Sequence, residues 1–181
     1  MVSSMRLWLA PLPADVDAAK LRLHQTLERF PLAEQAQSVM QRLGLDRRSG
    51  GRRAPLELLA EARGALEVPA FKHGGPTSVL IPLRECIEAA VAELLRRRPS
   101  QEPAGKAQEK LRSIGRQCHR DGLDEAYFER LAVEAEALLD DLSGAKQAAL
   151  PRERVIELFH RGLLFLNSVM GGIDENRLRS A

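Results

Sequence analysis

The sequence predicts an all-α protein: about seven helices in a compact helical bundle, with an antiparallel helical hairpin near residues 106–142. Three observations predict it. Leu (29), Ala (24) and Arg (22) supply two fifths of the 181 residues, and all three lose little freedom on entering a helix. Trp, Tyr and Phe total only 7, too few for strands, which draw on aromatic and β-branched side chains. Apolar residues recur at spacings of three and four along most of the chain. At 44% hydrophobic and 29% charged residues, the composition is that of a folded globular chain.

The elements follow in order. Asp15 can cap a first helix to Phe30, with Val16, Ala19, Leu23 and Leu27 on one face. Pro31 stops it and opens a second helix to Leu43, closed by Gly44. A glycine-rich basic loop, Asp46 to Arg53, is unsuited to helix. Pro55 restarts a short helix to about Leu66. Pro69 to Pro76 is a loop in which Phe71, Lys72, His73, Gly74 and Gly75 combine a cation, an imidazole and flexible backbone. Val79 to Leu95 reads as a buried helix with Pro82 near its start. Arg96, Arg97 and Arg98 then suit the negative end of its dipole.

Residues 99–105 form the best linker, between a basic helical part (1–98) and a C-terminal hairpin with a buried helix (106–181), together expected to form one compact unit. Ala107, Leu111, Ile114 and Cys118 define the first arm of the hairpin. Gly122 breaks the chain, and Phe128, Leu131, Ala135, Leu138 and Leu142 define the second arm. A last long helix starts at Pro151. From Gly162 it is apolar nearly all round, which predicts a place at the centre of the core or in a subunit interface. Gly171 and Gly172 close it before a short polar tail.

Charge is asymmetric along the chain. Residues 1–53 carry net +4, residues 54–121 net +2 and residues 122–181 net −4. That layout favours self-complementary packing or two partner surfaces of opposite sign. Cys86 and Cys118 fall on apolar helix faces, as small hydrophobes rather than a disulfide framework. No apolar run reaches 18 residues, so no membrane span is expected, and Met5 to Pro11 is too short for a secretory leader. A cytoplasmic protein is expected, and the excess of Arg over Lys suggests a GC-rich bacterial genome.

Three constellations could carry function. On the hairpin, Arg112, Arg116 and Arg120, with Lys106 and Lys110 beside them, lie away from the Leu111 face. Glu125, Glu129, Glu136 and Asp140 form a stripe on the second arm with no basic residue at i+4. These faces are candidates for partner binding, with the opposite charges expected to be free to act.

Arg47, Arg48, Arg52 and Arg53 could meet a phosphate backbone, with Gly50 and Gly51 letting the loop conform. No aromatic residue interleaves them, so base stacking is not expected. Arg154 and His160, and likewise Arg112 and His119, have the Arg-to-His spacing of the all-helical HEPN ribonucleases. With 4 His and 22 Arg, about one or two such matches arise by chance at helical surfaces rich in Arg. On a helix, Arg154 and His160 also point about 120° apart.

Zinc, a nucleotide P-loop and a serine hydrolase elbow all lack their motifs, so no cofactor or metal is expected. The expected function is a non-enzymatic interaction or assembly subunit, with another protein or a second copy as partner. The alternatives are a nucleic-acid accessory protein using the arginine loop and a ribonuclease using Arg154 and His160.

Overall fold

The computed structural model describes residues 32–48, 51–68, 75–97, 105–144 and 150–179. The helix expected over 15–30 and the loop Phe71 to Gly74 lie outside the described residues. Within them are seven helices: α1 (residues 32–42), α2 (Pro55–Glu67), α3 (Thr77–Arg96), α4 (Ala107–Cys118), α5 (Glu125–Gly144), α6 (Arg152–Gly171) and α7 (Glu175–Arg179). The chain is all-α, with an isolated backbone bridge between His119 and Ile173. None of these helices is long and apolar enough to cross a membrane.

One apolar cluster runs from Ala33 to Leu178 and draws on every helix. The buried positions of α4 and α5 are those of the sequence pattern: Leu111, Ile114 and Cys118 against Phe128, Leu131, Ala135, Leu138 and Leu142. The two arms run antiparallel, since Gln108 meets Glu136 and Arg112 meets Glu129. Gly122 adopts φ +88°, a left-handed turn conformation that glycine takes without penalty. The Asp124 carboxylate accepts the Tyr127 N–H at 3.1 Å and so caps α5. A Cβ at Gly115 would lie 2.4 Å from the Phe128 Cβ. Only glycine lets α4 approach α5 this closely.

Two arginines cap helices far away in sequence. Gly44 ends α1 at φ +65°. Arg97, just past α3, donates to the carbonyls of Leu43 and Gly44 there. Arg152 donates to the Leu66 and Val68 carbonyls at 2.6 and 2.9 Å. It thus serves the C-terminus of α2, which has no glycine stop. Both put positive charge at the negative end of a helix, though Arg97 serves α1 rather than its own α3.

Two expectations need correction. α6 is not enclosed all round: Leu163, Phe165 and Leu166 are fully buried, but Leu164 is 44% exposed. The apolar run exceeds the arc that α3 and α5 cover. The tail is not simply polar either. Ile173 and Leu178 are buried, and α7 packs on α4. Backbone bonds from Arg120 N–H to Gly172 O and from Asp174 N–H to Cys118 O, each 2.9 Å, fasten it. Cys86 is enclosed by apolar neighbours, and burial pushes its thiol up to about 12, so it carries no thiolate at neutral pH.

Candidate docking cleft

The loop after α1, the middle of α3, the start of α4 and the end of α5 enclose an open cleft of about 740 Å³. That volume is in the ~300–1,000 Å³ range of ligand-binding pockets. α3 packs against both α2 and α4 and contributes residues along its length. The basic loop and the start of α2 form one rim. The N-terminus of α4 and the C-terminal part of α5 form the other.

The cleft gathers residues from two constellations that lie far apart in sequence. Arg47, Arg52 and Arg53 come from the basic loop, and Glu136 and Asp140 come from the acidic stripe. Lys106 and Lys110 join them from the first arm of the hairpin. Arg48 of the loop, and Arg112, Arg116, Arg120, Glu125 and Glu129 of the hairpin, do not line it.

Ion pairing sorts these charges. Arg53 bridges Glu61, at 2.5 Å, and Glu85. Along the floor, Arg84 pairs with Glu88 at 3.0 Å and Arg96 with Glu93 at 2.7 Å. Arg48 reaches both oxygens of Glu57 at 3.0 and 3.1 Å. Its hydrogen bond holds the Glu57 carboxyl below the usual range. Four cations are left over. The side chains of Arg47, Arg52, Lys106 and Lys110 make no ion pair or hydrogen bond among the described residues. On the same rim as the lysines, Asp140 is also unpaired among the described residues, and Glu136 accepts one long bond of 3.4 Å from Gln108 Nε2. Gln108 itself is only 9% exposed.

The expectation that the hairpin's outer charges stand free holds only in part. Arg112 Nε lies 2.9 and 2.8 Å from the two Glu129 oxygens. The bond raises the Arg112 pKa and lowers that of Glu129. The pairing crosses between helices, so counting i+4 partners within one helix could not reveal it. Arg116, Arg120 and Glu125 are exposed and make no side-chain pair among the described residues.

Arg154 lies outside the cleft. It pairs with Glu157 at 2.7 Å and faces Asp141 at 3.9 Å. The hydrogen bond to Glu157 raises its pKa. His160 is half-buried farther along α6. His119 Nδ1 donates to the Gly115 carbonyl at 2.8 Å. Among the described residues no three His, Cys, Asp or Glu side chains converge on a metal position. The cleft therefore brings cations from two segments and carboxylates from a third to one concave surface.

No family model, curated protein or solved structure matches this chain.

Proposed function

We propose that the protein is a non-enzymatic helical interaction subunit that docks another protein in the cleft between its basic loop and its hairpin. The observation that carries this reading is the residue of unpaired charge. After internal pairing, Arg47, Arg52, Lys106 and Lys110 still face one concave space, with Glu136 and Asp140 beside them. Surface charges contribute little to folding. They steer encounter and select partners. The buried thiols and arginine-rich composition suit a reducing, bacterial cytoplasmic setting.

Nucleic acid is the rival reading, and exposed Arg47 and Arg52 favour it. Against it, Arg48 and Arg53 already hold carboxylates. Glu136 and Asp140, which no ion pair neutralises among the described residues, line the same cleft and oppose a continuous phosphate backbone.

Photo-cross-linking tests the proposal. A benzophenone side chain at Ala92, in the cleft, is compared with one at Ala126, on the outer face of α5. The docking reading expects discrete protein adducts from Ala92 only, unchanged by nuclease and weakened by salt. Identical adducts from both positions, or adducts that nuclease removes, refute it.

A further inference from the structure

Building on that reading, we propose that the segment held in the cleft is an acidic stretch of a partner chain, with an aliphatic side chain between two acidic positions. The geometry supplies each part. Two cations without an ion-pair partner among the described residues, Arg47 and Arg52, stand on the loop rim, and two more, Lys106 and Lys110, on the hairpin rim. The floor between them is self-neutralised, because Arg84 and Arg96 already pair with Glu88 and Glu93. A ligand with negative charge near both ends and none in the middle matches that sequence of rim, floor and rim.

The middle is suited to a small apolar group. Ala89 and Ala92 lie three positions apart on α3, and Leu139 comes from α5. All three are half-buried and accessible from the cleft. Arginine and lysine play different parts at the two rims. The planar guanidinium of Arg47 or Arg52 can hold a carboxylate bidentately, while the ammonium of Lys106 or Lys110 is a point charge on a flexible stem.

Two features select against other polyanions. No aromatic ring lines the cleft among the described residues, so unpaired bases find no stacking surface. Glu136 and Asp140 flank the lysines and repel a uniformly charged strand, whereas a peptide can set a backbone N–H or a donor side chain against them.

The test is fluorescence anisotropy with four labelled probes on the full chain: a nonapeptide alternating glutamate and leucine, its lysine–leucine counterpart, a serine–glycine peptide and a duplex oligonucleotide. The acidic peptide should bind best. Its affinity should fall by about tenfold or more as salt rises from about 0.05 to about 0.5 M. Arg47→Glu with Arg52→Glu, and separately Lys106→Glu with Lys110→Glu, should each weaken it by about tenfold or more, as expected when charges oppose across an interface. Arg116→Glu with Arg120→Glu makes the same change in net charge outside the cleft and should leave binding within about twofold. The neutral pair Arg47→Gln and Arg52→Gln repeats the first variant without introducing new repulsion, and circular dichroism checks that each variant is folded.

Equal losses from the cleft and control variants overturn the inference, since attraction would then be global. Preference for the basic peptide overturns it too, although cross-linking from Ala92 to a protein would keep the docking reading. Absence of any peptide binding overturns the acidic segment alone. Binding of the duplex only, together with nuclease-sensitive adducts, overturns both.

Discussion

The hairpin behaves differently at its two ends. Near Gly115 and Phe128 the arms touch backbone to ring. Tyr127 meets Phe128 edge-on, with ring centres 5.4 Å apart, and its hydroxyl donates to the Ser168 carbonyl at 2.8 Å. Here close apolar packing also brings charges together, and Arg112 and Glu129 neutralise each other. At the other end, the start of α4 and the end of α5 line the cleft, and Lys106, Lys110 and Asp140 there make no ion pair among the described residues. The same residue types therefore do different work. Whether a carboxylate lies within reach decides whether a cation is neutralised inside the fold.

Breaking the packed end should give the largest effects. Phe128→Ala should cost ~3–5 kcal/mol, because a fully buried ring leaves a cavity bounded by α4 and α6. Leu163→Ala and Leu166→Ala should each cost ~2–5 kcal/mol in urea denaturation. An unchanged midpoint for both would place α6 at the periphery. Gly115→Ala should cost ~1–3 kcal/mol by forcing α4 off Phe128. A stabilised variant would show that the two arms are not in contact there.

A smaller effect sharpens the contrast at the paired edge. Glu129 is held below its ordinary pKa by Arg112. Its contribution is therefore present above the unfolded carboxylate value, about 4.3, and lost as pH falls through the lower folded value. Arg112→Gln should lower the melting temperature slightly at pH 7, and the gap from wild type should close in acid. A gap independent of pH would mean that Arg112 acts by packing alone.

Much of this fold is legible in the sequence, for stated physical reasons. The buried stripes of α4 and α5 follow from spacing, because each arm is long enough for the 3.6-residue period to repeat. The role of α7 is not legible. The apolar signal of that segment is two buried residues, Ile173 and Leu178, too few to define a face. The caps by Arg97 and Arg152 also leave no local signal, since their acceptors lie some 54 and 86 residues away along the chain. The cleft was half legible. The basic loop and the acidic stripe stand out as charge patterns, but not their meeting. Arg52 and Arg53 are neighbours, yet among the described residues one has no ion-pair partner and the other holds two carboxylates, a distinction that the packing of α2 and α3 makes.

The proposed division between a structural end and a binding end is tested most directly by reversing charge at each and measuring two properties of both variants. Arg112→Glu should lower the melting temperature and leave the anisotropy signal of the acidic peptide within about twofold. Arg47→Glu with Arg52→Glu should leave the melting temperature nearly unchanged and weaken the peptide by about tenfold or more. The opposite pattern, with stability lost at the loop and binding lost at Arg112, would contradict the assignment of the two ends.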